Sequence, residues 1–144
     1  APELIFDAGL GELFVIRVAG NILSPEGAGS MQYAGSHLHT PLFVVLGHEG
    51  CGAIEAALAA NQGAKFRSRI EKLLESVKPG LPRFKAGLSD AEKLSQAVES
   101  NVRWTAKSIR KTPEGKARQA EGTMKIVAAI YDLESGKVRW LDDA

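Results

Sequence analysis

Pro41-Leu-Phe-Val-Val-Leu-Gly-His-Glu-Gly-Cys-Gly-Ala-Ile-Glu-Ala-Ala-Leu58 decides how this chain is read. Leu42 to Leu46 is an apolar run short enough for a buried strand. It stops at a glycine-punctuated loop holding His48 and Cys51, and an alanine-rich helix is predicted from about Gly52. An imidazole and the only thiol of the chain therefore lie three residues apart, at the carboxyl end of a strand. In open α/β sheets that end is where ligands bind. Cys51 falls at a helix N-terminus, where backbone N–H groups favour a negatively charged sulfur. Thiolate and imidazole are the ligands zinc prefers, so the loop reads as half of a zinc site.

Outward from the loop, strands and helices alternate. Pro2 to Leu10 is predicted as a short helix entered through a proline. Leu13 to Val18 is predicted as a strand whose apolarity is broken only by Arg17, and Gly20-Asn21 as a turn. Gly27 to His39 carries helical spacing, with Ser30 as its cap. Leu42 to Gly47 is the next strand and Gly52 to Ala60 the next helix. Phe66, Ile70, Leu73, Leu74 and Val77 line one face of an amphipathic helix. Lys78 to Gly87 reads as a loop. Ser89-Asp90-Ala91-Glu92 fits a capping box and opens a long helix whose apolar face runs through Leu94, Ala97, Val98, Val102, Thr105 and Ile109. Pro113 to Gly122 reads as a polar connection. Met124 to Tyr131 and Lys137 to Leu141 form a hairpin closed at Gly136. The pattern predicts an α/β fold: a mainly parallel sheet flanked by helices, with one antiparallel hairpin at the C-terminal end.

At 144 residues the chain makes a single domain, 1–144, large enough for a core. Its net charge of +1 gives no electrostatic case for nucleic acid or for acidic substrates. The basic stretch from Lys107 to Arg118 is interrupted by Glu114 and reads as a solvated helix end. One cysteine excludes an internal disulfide framework. No run approaches the length of a membrane span, so neither a membrane nor nucleic acid is expected as a partner, and the expected compartment is the cytoplasm. The chain opens as Ala-Pro-Glu-Leu-Ile-Phe-Asp without Met, so a preceding segment is expected to have been removed.

Several segments, in order, resemble the β-class carbonic anhydrases. They are Pro2 to Asn21, Ser30-Met-Gln-Tyr-Ala34, Pro41 to Ala53 with its His-Glu-Gly-Cys-Gly loop, Asn101-Val102-Arg103, and Lys125 to Gly136. The resemblance implies a zinc ion held by two cysteines and one histidine, with the fourth position for water or an aspartate. His48 and Cys51 match the second half of that set. The first cysteine belongs to a Cys-x-Asp-Ser-Arg motif just ahead of the segment that starts here at Pro2, so that cysteine and the Asp–Arg pair are absent. By the same resemblance, the motif's strand is central, between the strands at 13–18 and 42–47. Strands sit about 4.8 Å apart, so its absence predicts a strand-wide gap with unpaired backbone on both sides. The domain is expected to be incomplete, with the missing piece lost upstream, supplied by another chain, or replaced by a rearranged sheet.

The activity implied is reversible hydration of carbon dioxide to bicarbonate and a proton by hydroxide generated at zinc, with a homodimer or higher even oligomer as the unit. Gly52 is expected to offer its N–H where bicarbonate charge develops. The Gly47-to-Gly52 loop lacks the ending of a P-loop, which weakens a phosphate-cradle reading. Arg17 is expected either to pair with Asp7 or Glu12 or to lie near a bicarbonate pocket. His37 and His39 are expected to be solvated rather than substitute ligands. Asn21 reads as a turn residue, Trp104 as a core or interface aromatic, and Tyr131 as a strand packing residue. Two other readings stand beside this one: a zinc-free pseudoenzyme or interaction module on the same scaffold, and a related hydrolase of carbonyl sulfide or carbon disulfide.

Overall fold

The computed structural model describes residues 1–141. Its sheet is built on β-branched and small apolar residues. β1 (Leu42–His48) lies parallel to β2 (Lys125–Tyr131), in register from Leu42 opposite Lys125 to His48 opposite Tyr131. β3 (Val138–Leu141) runs antiparallel to β2, from Leu141 opposite Ala128 to Val138 opposite Tyr131. The hairpin closes as expected: Gly136 donates its N–H to Asp132 O (2.9 Å) and takes a φ of +70°, which glycine adopts freely. The order β1-β2-β3 confirms a parallel pair with an antiparallel C-terminal edge.

Six helices accompany the sheet among the described residues: α1 (Pro2–Phe6), α2 (Pro25–His37), α3 (Gly52–Asn61), α4 (Ser68–Val77), α5 (Asp90–Lys111) and α6 (Pro113–Ala120). α5 is the organiser. Its start carries the capping box, with Ser89 Oγ accepting the Glu92 N–H and the Glu92 carboxylate accepting the Ser89 N–H. Ala97, Val98, Asn101, Val102, Thr105, Ala106 and Ile109 are buried along one stripe. That stripe touches β1, β2, α3, α6 and two tight turns, Ala19–Asn21 and Lys78–Gly80. Around it Ile54, Ala57, Leu74, Val77, Ile126, Ala128 and Ile130 complete the core.

The structure corrects several boundaries. α1 stops at Phe6 rather than Leu10, because Asp7 turns left-handed (φ 51°). α2 starts at Pro25 and is capped by Ser24, whose Oγ accepts the Gly27 N–H at 3.0 Å; Ser30 lies inside it. α4 begins at Ser68, after Phe66, and the 113–122 connection folds as α6, capped by Thr112. The largest correction is Leu13 to Val18, which pairs with no strand among the described residues and leaves Phe14, Val15 and Ile16 40–47% exposed. High β-propensity without a partner gives extended chain but no strand, since a ladder needs a second edge. β1 is likewise unpaired on the side away from β2 among the described residues.

Glu99 joins α5 to the edge strand, accepting from Arg103 (2.9 Å) and Arg139 (3.0 Å). Burial raises its carboxyl pKa, but the hydrogen bonds and charges of the two arginines outweigh that and leave it below the usual range. A depressed folded-state pKa stabilises above the ordinary carboxylate range, and that contribution fades as pH falls through the folded value. Glu99→Gln should therefore cost about 1 kcal/mol or less at neutral pH, with the difference from the parent closing toward pH 3, about the lower end of carboxylate titration. Urea unfolding across that pH range checks it; a difference independent of pH would refute the ion pair.

Candidate metal centre

His48 ends β1, half-buried. Its Nδ1 lies 2.8 Å from the carbonyl oxygen of Glu49. A carbonyl only accepts, so Nδ1 carries a proton and Nε2 is the nitrogen left for a metal. The loop is anchored in turn, because Glu49 donates its N–H to Tyr131 O at the end of β2 (2.9 Å). Gly50 turns the chain at a φ of +62°, and Cys51 follows as the N-cap of α3. The Cys51 carbonyl accepts from Ile54 and Glu55, both at 3.0 Å, while its side chain takes no part in capping. Cys51 is thus buried, with its thiol uncommitted to the cap. Gly52, the first residue of α3, has nothing within 4 Å of where a Cβ would stand, so the space on its side-chain side is open.

An uncommitted thiol and a histidine with its tautomer set, on one pinned loop, fit two positions of a zinc ion. No group of three or more His, Cys, Asp and Glu side chains is placed to hold a metal among the described residues. The other histidines do not supply a third: His37 stacks on Tyr33 at 4.5 Å in α2, and His39 lies exposed beyond that helix at a φ of 53°.

Two neighbours of the loop matter more than the sequence suggested. Gly47, one residue before His48, is buried where a Cβ would stand 2.4 Å from Val102 Cγ2. Asn101, fully buried, donates from Nδ2 to Gly20 O (2.7 Å) and so holds the Gly20-Asn21 turn beside β1. The signal available in the sequence was a polar residue at a helical position flanked by Val98, Val102 and Thr105. Asn21 is a turn residue as expected (φ 44°). Its Nδ2 and Asn101 Oδ1 are buried without a partner among the described residues. Such atoms each cost about 1–3 kcal/mol, so packing and the Asn101–Gly20 hydrogen bond hold this corner against two unsatisfied groups.

Arg17 requires a correction. With no strand formed at 13–18 it is exposed, and it pairs with neither Asp7 nor Glu12 among the described residues. The Glu12 carboxylate instead accepts the Gly9 N–H at 2.6 Å. Trp104 is 41% exposed on α5 and therefore not a core residue; Tyr131 packs half-buried in β2.

A family profile described as "Carbonic anhydrase" matches residues 1–138. "Carbonic anhydrase 2" of Mycobacterium tuberculosis is 39% identical over 140 residues, covering 95% of this chain and 66% of that protein. A "Carbonic anhydrase" of Mycolicibacterium smegmatis is 38% identical, covering 96% and 67%. Among solved structures, the β-carbonic anhydrase CcaA superposes with a TM-score of 0.87 at 29% identity, over 99% of this chain and 73% of that one. The Coccomyxa β-carbonic anhydrase gives 0.85 at 25%, over 98% and 66%. The chain thus spans about two thirds of the length of the curated relatives it matches.

Gly47→Ala should destabilise the fold by about 1–3 kcal/mol, because the added methyl overlaps a stiff, fully buried valine. Adding Val102→Ala should recover part of that loss, making the pair less than additive. Thermal and urea unfolding of the four proteins measure it; an unchanged midpoint for Gly47→Ala would sink the packing argument.

Proposed function

The chain belongs to the β-class carbonic anhydrase family, and on that premise we propose that it forms part of a zinc-dependent enzyme interconverting carbon dioxide and bicarbonate. The observation that carries this is the pinned loop, with Nε2 of His48 and the thiol of Cys51 both left uncommitted. Zinc bound there would supply the Lewis acidity that makes hydroxide available near neutral pH. The chain's own residues do the remaining work. His48 and Cys51 hold the metal, and the Glu49 carbonyl keeps the imidazole in its ligating tautomer. The Gly52 N–H, at the positive end of α3, faces the negative charge that develops on a bicarbonate oxygen.

A third donor is required, since catalytic zinc sites use three protein ligands. We propose that it arrives on a strand laid against the open edge of β1, supplied from outside these 144 residues. Two features support this. Among the described residues, the exposed, extended Leu13 to Val18 segment has strand composition and no strand partner, and β1 has no neighbour on the side away from β2. The carboxyl end of a strand in that slot lies beside His48. The Asp–Arg pair that the family resemblance assigns to the same motif would come with it. A homodimer is the proposed unit, because the apolar surface at Phe14, Val15 and Ile16 calls for a cover. A non-catalytic scaffold would also lack a three-ligand group among the described residues, but the family comparisons do not favour it.

Zinc content after exhaustive dialysis, paired with stopped-flow carbon dioxide hydration, tests both readings. The 144-residue chain should retain well under one zinc per chain and show no hydration. A chain extended upstream to include a Cys-x-Asp-Ser-Arg strand should retain one zinc and be active. In that longer protein His48→Ala and Cys51→Ala should each weaken zinc binding about a hundredfold or more, beyond what loss of an outer-shell partner costs. Full zinc retention by both variants would place the metal elsewhere, and a loaded but inactive extended chain would favour the scaffold.

A further inference from the structure

Away from the metal-binding loop, α2 and α6 enclose a cavity of about 290 Å³. Gln32 and Gly35 of α2 line it together with Glu114 and Arg118 of α6, and Met31, Phe43 and Met124 supply apolar wall. Glu114 and Arg118 stand one helical turn apart with the acid first, the order and spacing that favour an ion pair. No such pair forms between them. The Glu114 carboxylate instead accepts from Gln32 Nε2 across the cavity, at 3.3 Å. Arg118, half-buried, reaches over to α2 and lays its guanidinium against Gly35. A Cβ at position 35 would stand 3.3 Å from Arg118 Nε and Cζ and 3.6 Å from Phe43 Cζ, so the bare glycine makes room for that placement. Opposite charges thus line one small cavity without neutralising each other.

We propose that this cavity binds a free α-amino acid with an unbranched apolar side chain. Charge complementarity selects the ligand, and it rests on two groups present in the wall. An α-amino acid carries an ammonium and a carboxylate on one carbon, so a single small molecule can answer both Glu114 and Arg118. Its carboxylate meets the planar guanidinium, which presents parallel N–H donors to such a group. Its ammonium donates to the Glu114 carboxylate and to Gln32 Oε1, the acceptor that Gln32 keeps while its Nε2 is engaged. The side chain rests among Met31, Phe43 and Met124, where flexible thioethers adapt to its shape. A simple anion would face the Glu114 charge, and a simple amine would face Arg118. Ligand pockets run from about 300 Å³ upward, so this one suits a molecule of amino-acid size. None of this depends on the metal centre.

Isothermal titration with L-norleucine tests it, with hexanoate, which lacks the ammonium, and pentylamine, which lacks the carboxylate, as comparisons. Norleucine should bind, and each comparison should bind about tenfold or more weakly. Arg118→Gln should weaken norleucine about tenfold and leave it no better than pentylamine; Glu114→Gln should weaken it similarly and leave it no better than hexanoate. That exchange of selectivity is a readout that loss of a helix–helix contact would not produce. Both variants should keep the parent's thermal midpoint closely, since each changes one charge at the surface of a short helix. No binding of norleucine, equal binding of norleucine and hexanoate by the parent, or indifference to both variants would each overturn the proposal. So would binding by the 144-residue chain that disappears in the upstream-extended protein, since the cavity would then be a covered surface rather than a site.

Discussion

Val102 packs onto the bare Cα of Gly47, and that close approach sets how deeply α5 lies across β1. Any side chain at 47 would lift the helix, and the helix packs against β1, β2, α3 and α6. From the same turn of α5, Asn101 reaches the Gly20 carbonyl and holds the Gly20-Asn21 turn against the sheet. α3 packs on α4 and on α5, so the position of Cys51 at its start follows from the same contacts. The metal-binding loop therefore inherits its geometry from the helix–sheet interface. Packing of this density transmits small displacements, which is why a glycine outside the ligand set matters to the site.

The periodic parts of this fold were legible in the sequence. The apolar run of β1, the capping box of α5 and the hairpin glycine each have a local cause, and each formed as read. The readings that failed had non-local or competing causes. Leu13 to Val18 has the composition of a strand, but a strand exists only when a neighbour completes its hydrogen bonds, and none of the described residues does so. The 113–122 stretch looked like a connection because it is polar throughout; Pro113 at its first turn and the Thr112 cap were enough to make it helical. Asn101 was hidden for a different reason, since a polar residue inside an apolar stripe shows its role only when its partner, a backbone carbonyl 81 residues away, is placed.

At the site, the loop motif specified His48 and Cys51, while the tautomer of His48 and the anchoring of Glu49 to Tyr131 came only from the fold. Parallel pairing makes that anchor available. In the β1–β2 register His48 stands opposite Tyr131, so both strands end together and the loop leaving β1 crosses the carbonyl end of β2. A one-residue slip would remove the acceptor and turn His48 to the other face.

Such anchoring changes where the free energy of metal binding goes. When ligands lie on a flexible chain, part of the binding energy is spent on ordering them. Here the imidazole is oriented by a backbone carbonyl, the turn between the ligands is fixed by Gly50, and Cys51 is locked into a helix cap. Two ligands are thus ordered before any metal arrives, and the remaining entropy cost falls on the third. That third ligand and the open edge of β1 belong to one problem, because a strand that pairs with β1 orders its own carboxyl end beside His48. Sheet completion and metal binding would then be coupled, each raising the affinity for the other, as linkage requires of two events favouring one state.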